Sequence, residues 1–446
     1  MPVRTKFSSD VSIFRRVVYT LVRTMLFLLF CKLPYRQIRR INKPNLDGPV
    51  LWASSHSNFF CDVVVASYEA PRPAKYLAKK TLFRFPLKGF LDFCGALPIV
   101  RPEDLSRSNP EQRGTQNRET FKAAIEALRD SWPVTIFPEG MSIVSPGLTL
   151  PLKAGVAKLA FAAEEASDFT LGLRIIPVGL EYGSRVRIGS GLTIRYGEPI
   201  YIKKYEELYK KNHEEAVRAV LADLTAQMIQ SFPHFQNEET LMLGKKLVVT
   251  GLMNSKHAAA QLFLQNKNLQ FETILKEQFR LFEEKSKEFS VPLAAWGRYQ
   301  EWKHFAKDKK ILTIIWSILG IPFSLWHLAH NIIPEYFLRT LMDFWATDET
   351  EETTVRFVTA SIFLLPIYML EFLAWQLWIF PRSEAYGVSG FLVYISFSIF
   401  VWYLMAPWGE KLKLLFAQTF FWKRAVTINA LESEYKKLQL FLSSGV

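Results

Sequence analysis

The chain has 446 residues, with 55 Lys and Arg against 42 Asp and Glu, a formal charge of +13 and a pI near 9.4. That length exceeds what one core serves and suits a main domain of roughly 200–250 residues with an appended region. The basic charge would fit nucleic acid, an anionic membrane or a phosphorylated substrate. However, a hydrophobic content of 49%, with 36 Phe and 12 Trp and no repeating aromatic pattern that could read a groove, argues against nucleic acid and for a membrane.

Residues 15–31, RRVVYTLVRTMLFLLFC, carry no signal-peptide cleavage site, and Arg23 interrupts the apolar run short of the ~20 residues a span needs. An amphipathic helix lying in the membrane interface is therefore expected within residues 1–44. Lys32, Arg36, Arg39, Arg40 and Lys43 would form its basic flank toward an anionic leaflet. From 49 to 200, short apolar runs alternate with helical stretches such as 114–130 and 151–166. The runs are PVLWAS (49–54), AKYLA (74–78), GALPIV (95–100), PVTIF (133–137), RIIPVGLEY (174–182) and LTIRYG (192–197). This alternation predicts an α/β domain over 45–235, a mixed sheet flanked by helices. A break is expected near SFPHFQNE (231–238), followed by a helical, charged region over 236–310.

Residues 311–446 change character. The runs 311–331 and 387–407 contain no Asp, Glu, Lys or Arg and are long enough to span a bilayer; a third, 357–380, holds Pro366 and Glu371. Two or three hydrophobic segments in a membrane-embedded region are expected. The lysines before 311 favour an integral protein whose catalytic domain faces the cytosol, at the endoplasmic reticulum or a bacterial inner membrane, whereas Lys411, Lys413, Lys423 and Arg424 conflict with three full spans, so one run is expected not to cross. Cys31, Cys61 and Cys94 form no CxxC, which suits a reducing compartment.

Three absences narrow the chemistry: the sequence has no GxSxG elbow, no GxxxxGK[ST] loop and no GxGxxG turn. His327 and His330, at i,i+3 in an apolar run, fit satisfied core groups better than metal ligands, and no metal site is expected. The stretch SSHSNFFCD (54–62) stands out. His56 and Asp62 are six positions apart, a spacing that puts them on one face of neither helix nor strand. A strand ending before SSHSN and a helix starting at FFCDVVVASY resolve this, because the intervening loop turns Asp62 back toward His56. An aspartate on Nδ1–H would fix the tautomer and leave Nε2 to take a proton from a substrate hydroxyl. The bland alternative makes Asp62 a helix cap and His56 merely exposed.

In an open α/β sheet the strand carboxyl ends share one crevice. GALPIVR would bring Arg101 there as a phosphate clamp, while IFPEG would bring Glu139 to accept from a polyol hydroxyl and Gly140 to admit the ligand close to the backbone; taken singly, Arg101 equally suits a surface ion pair and PEG a plain turn. Lys79, Lys80, Arg84 and the Lys153 of LPLKAGVA would make the crevice basic.

H-x5-D at 56–62, GALPIVR, FPEG, LPLKAGVA and IIPVGLEY occur in the order and approximate spacing of the glycerolipid acyltransferase superfamily. Over roughly 45–205 the chain most resembles the branch that acylates glycerol 3-phosphate or dihydroxyacetone phosphate at the sn-1 position. The resemblance implies a glycerolipid acyltransferase-like domain with His56 as general base and Asp62 as its orienting partner. Arg101, Glu139 and Gly140 would hold the acceptor, and Pro177 would lie near the acyl donor. Five residues between His and Asp, where the wider superfamily has four, match the sn-1 branch. Met141-Ser142 after FPEG departs from the Gly-Ser or Thr-Arg usual in relatives.

The expected partners are acyl-CoA or acyl-carrier protein as donor, glycerol 3-phosphate or dihydroxyacetone phosphate as acceptor, and membrane lipids, with no cofactor beyond the donor. A lysophosphatidate or other lysophospholipid acyltransferase is the enzymatic alternative. A non-catalytic, lipid-binding membrane scaffold is the alternative of another class.

Overall fold

The computed structural model of the protein describes residues 13–32, 34–70, 73–84, 87–100, 110–185, 190–266, 269–304 and 307–325, scattered positions from 336 to 421, and 425–444. Two compact units emerge, one built on residues up to Phe232 and the other on residues from Pro233.

The first unit is a mixed sheet of eight strands. They are β1 (Tyr35–Ile41), β2 (Val50–Ser54), β3 (Lys75–Lys79), β4 (Ala96–Ile99), β5 (Val134–Ile136), β6 (Arg174–Tyr182), β7 (Ser190–Tyr196) and β8 (Ile200–Tyr201). Their order is β1-β7-β6-β2-β5-β3-β4, with β8 added to β6. β6, β2, β5, β3 and β4 run parallel, while β7 is antiparallel to β6 and parallel to β1. All five residues of β2 are buried, as expected for a central parallel strand covered on both faces.

Helices α1 (Ile13–Phe27), α2 (Phe59–Glu69), α3 (Leu87–Cys94), α4 (Pro110–Arg129), α5 (Gly155–Glu165), α6 (Glu206–Lys211) and α7 (His213–Ser231) complete the unit. One core joins Leu51, Val134 and Ile175 of the sheet to Leu128 of α4, Phe161 of α5 and Leu224 of α7. At Gly179 the β6 backbone comes so close to α7 that a Cβ would lie 2.1 Å from the Ser231 carbonyl oxygen. The connection after β2 runs toward β3 and the one after β5 runs toward β6. The neighbouring ends of β2 and β5 therefore form a topological switch point.

The N-terminal flank differs from the sequence expectation. Residues 35–41 form a sheet strand although they lie upstream of the 44/45 boundary, and two members of the expected basic flank, while still exposed, pair with the buried Glu69. Arg40 donates to Glu69 Oε1 through Nε at 2.8 Å and Nη2 at 2.5 Å, and Lys43 Nζ sits 2.8 Å from Oε2. YRQIRRI offers only Tyr35 to the core, so no apolar alternation marked it as a strand. Arg23 is also explained: its guanidinium donates to the Ala70 carbonyl at 3.3 Å, at the negative end of α2, while Phe27 stacks on Tyr68. Val17, Leu21, Met25 and Leu28, at helical spacing, form an exposed face.

The second unit contains α8 (Glu238–Val249), α9 (Lys256–Gln265), α10 (Leu269–Glu288), α11 (Leu293–Lys303), α12 (Lys307–Leu319) and α13 (Ala425–Ser444), with a core that includes Leu247, Phe279, Trp296 and Leu438. On α12 polarity is inverted. Thr313 and Ser317 are buried, whereas Ile311, Leu312, Ile315, Trp316, Ile318 and Leu319 are exposed. Among the described residues no helix is long and apolar enough to cross a membrane. The expected segments 357–380 and 387–407 lie largely outside the described residues, as do 326–331 with His327 and His330.

Burial pushes the Glu69 carboxyl up, but Arg40 and Lys43 outweigh it and hold the group below its ordinary value near 4.5. Glu69 should therefore contribute stability that is fully present above pH ~4.5 and lost as pH falls below it. Glu69→Gln should cost about 1–3 kcal/mol in denaturant unfolding at pH 7, because Arg40 and Lys43 keep partial hydration when their partner is lost.

Candidate active site

The loop between β2 and α2 is pinned from several sides. Ser55 ties it to β6, donating its N–H to the Val178 carbonyl at 2.9 Å and accepting from Leu180 N–H at 3.0 Å through Oγ. His56 donates its N–H to Glu139 Oε1 at 2.8 Å and accepts from Ile143 N–H at 3.2 Å, both from the segment after β5. Its ring stacks on Phe137 with centroids 4.0 Å apart.

The turn brings Asp62 back as the spacing requires. His56 Nδ1 lies 3.0 Å from Asp62 Oδ2. An ionised carboxylate only accepts, so in a neutral imidazole this contact selects the tautomer with its hydrogen on Nδ1 and its lone pair on Nε2. Asp62 is wholly buried and is held by further donors, Asn58 N–H to Oδ2 at 2.7 Å and Tyr182 O–H to Oδ1 at 2.6 Å. Burial pushes the Tyr182 phenol well up, so it stays protonated as a donor. Behind it, Asn58 Nδ2 donates to Tyr35 Oη at 2.9 Å, and that hydroxyl donates to the Arg185 carbonyl at 3.2 Å.

Of the other residues singled out in the sequence, Glu139 is brought to the dyad. Both its oxygens accept from backbone: Oε1 from His56, Oε2 from Thr149 N–H at 2.9 Å. Burial pushes its carboxyl up, and these two N–H groups pull it partly back. Gly140 adopts φ +81°, a left-handed turn open to glycine, and the Lys153 stem lies 3.1 Å from where a Cβ would stand. Lys153 is anchored through its N–H to the Pro138 carbonyl at 2.7 Å, and its side chain is exposed.

Lys79 ends β3 and Lys80 follows it, on the same sheet edge as His56. Arg101 lies outside the described residues, but Val100 just before it is clamped by Asn117 of α4 at 2.9 and 3.0 Å. Pro177 sits inside β6, in register with Ala53.

Four supporting residues escaped the sequence reading: Tyr35, Asn58, Phe137 and Tyr182. Tyr182 closes the IIPVGLEY block, but 120 positions separate it from Asp62, and no periodicity spans that distance.

The site lies inside a stretch that known proteins share. The Acyltransferase family model matches residues 34–181. This stretch is an acyltransferase domain. It runs from just before β1 to the end of β6 and contains the His56–Asp62 dyad and the Glu139 loop, as the ordered motifs led us to expect. The crystal structure of the 1-acyl-sn-glycerophosphate (LPA) acyltransferase, PlsC, from Thermotoga maritima is similar at 17% identity and a TM-score of 0.32, covering 49% of this chain and 86% of that one. No curated protein matches the sequence.

In the acyltransferase domain, replacing Asp62 by Asn keeps the shape but presents an amide to Nδ1, which allows the wrong tautomer. Asp62→Asn should leave circular dichroism unchanged and lower turnover by roughly 10²–10⁴-fold.

Proposed function

We propose that the protein is a membrane-associated acyltransferase that moves a fatty acyl group from a thioester donor, acyl-CoA or acyl-carrier protein, to the sn-1 hydroxyl of glycerol 3-phosphate or dihydroxyacetone phosphate, giving a lysophosphatidate-type product. The observation that carries this reading is the His56 Nδ1 to Asp62 contact of 3.0 Å within an acyltransferase domain. Asp62 fixes the imidazole so that Nε2 accepts the acceptor hydroxyl's proton as the oxygen attacks the thioester carbonyl. The tetrahedral adduct then collapses, the carbon–sulfur bond breaks, and the leaving thiolate recovers the proton from the imidazolium. Lys153, Lys79, Lys80 and Arg101 supply positive charge for the acceptor's phosphate. The five-residue gap between His56 and Asp62, which resembles the sn-1 branch, supports a small acceptor over lysophosphatidate.

His56→Ala in purified, folded protein should abolish acyl transfer, a loss of at least roughly 10²-fold. Wild-type protein offered one acyl-CoA should acylate glycerol 3-phosphate or dihydroxyacetone phosphate faster than lysophosphatidate. A preference for lysophosphatidate would reassign the acceptor, and near wild-type turnover by His56→Ala would overturn the mechanism.

Membrane association is supported by the exposed Val17, Leu21 and Met25 face of α1, continued by Leu28 just after it, and by the inverted polarity of α12. The α1 face would lie in the lipid interface, with the acyltransferase domain on the cytosolic side. Leu21→Glu combined with Met25→Glu should weaken sedimentation with anionic vesicles by roughly tenfold or more. Unchanged binding would remove α1 from the contact.

A further inference from the structure

One loop, residues 137–143, grips His56 from three directions. Glu139 Oε1 takes its N–H at 2.8 Å, Ile143 N–H donates to its carbonyl at 3.2 Å, and the Phe137 ring covers its imidazole face at 4.0 Å. The same loop reaches the start of α2, where Ser142 Oγ accepts the Phe59 N–H at 3.1 Å. Phe59 holds φ +37°, a left-handed conformation that a bulky residue adopts only when its surroundings impose it. Both peptide groups flanking the turn are thus fixed from outside the turn, and with them the direction in which Nε2 points.

The chemistry of Glu139 fits this use. It is buried and its two oxygens each accept from a backbone N–H, one on the catalytic loop and one on the segment before α5. A carboxylate can bridge two converging donors, whereas an amide would satisfy one and set its NH₂ against the other. We infer that Glu139 is a positioning residue that holds His56 in line for proton transfer, rather than a ligand of the acceptor, and that the FPEGMS loop serves as the frame that sets the base.

This inference rests on the proposed acyl transfer but has a test of its own. Glu139→Gln and Phe137→Leu would be compared with wild-type full-length protein by steady-state kinetics with glycerol 3-phosphate or dihydroxyacetone phosphate, and by backbone hydrogen exchange. Glu139→Gln should lower kcat by roughly 10- to 100-fold, as expected when a reacting group is displaced by part of an ångström, with the acceptor KM within about twofold. It should also speed exchange in the segments that contain His56 and Thr149. Phe137→Leu should likewise lower kcat at constant acceptor KM.

A rise in acceptor KM at unchanged kcat in Glu139→Gln would overturn the inference and make Glu139 an acceptor ligand. Unchanged exchange at His56 would overturn it as well, as would faster exchange with undiminished kcat. If Glu139→Gln does not fold, Phe137→Leu decides, and unchanged kcat there overturns the inference. If the wild-type protein transfers no acyl group to any acceptor, the function proposed above fails. The exchange comparison still reads whether Glu139 holds the His56 loop, and unchanged exchange would overturn that part by itself.

Discussion

A carboxylate withdrawn from water needs donors on every side, and the acyltransferase domain is arranged around meeting that need at Asp62. The group is wholly buried, and without partners its desolvation would cost several kcal/mol. Three donors answer: the imidazole of the preceding turn, the Asn58 backbone N–H of the same turn, and the Tyr182 hydroxyl at the end of β6. Two of them come from the turn between β2 and α2 and one from the end of β6, so the dyad forms only when β2, α2 and β6 are all in place. The same requirement orients the imidazole, because a carboxylate that accepts from Nδ1–H leaves the neutral ring its lone pair on Nε2.

The sheet topology explains why these groups meet. β2 and β5 are neighbours whose outgoing connections run in opposite directions, which opens a crevice at their carboxyl ends. His56 follows β2 and Glu139 follows β5, so the two loops face each other across one strand spacing and become hydrogen-bonded. Gly140, with φ +81°, lets the second loop turn sharply enough for the Lys153 stem to lie against it. The crevice therefore sets an imidazole held from three sides beside an exposed lysine at its edge.

A second buried carboxylate, Glu69, works on the outer edge of the same helix. It gathers Arg40 and Lys43 from the N-terminal flank and the Tyr196 hydroxyl at 3.0 Å from β7. α2 thus carries a carboxylate near each end, one fixing the His56 turn and the other fastening β1 and β7 to the helix. The apolar outer face of α1 is left free because its inner face already docks on α2 through Arg23 and Phe27.

The local code was readable where it is local. Apolar runs bounded by turn residues located β2 to β7 within a residue or two, FFCDVVVASY gave α2, and the awkward His56–Asp62 spacing predicted the bend that the structure contains. The order of short motifs pointed to the acyltransferase family that matches residues 34–181. What stayed hidden depends on partners far apart in the chain. β1 was missed because its only core residue is Tyr35, and its basic residues read as a membrane flank until a glutamate 29 positions away claimed Arg40.

Glu139 could be named from FPEG as a polar group at the crevice. That its two oxygens bridge His56 and Thr149 was decided by strand order, which sets two loops 83 residues apart in register. Where each strand ends, and which polar residue follows it, is written locally in the chain, since burial and turn propensities act over a few neighbours. Which of those residues accept from one another emerges only when the strands are assembled, because a hydrogen bond is satisfied by distance and direction in space and leaves no periodic trace along the chain.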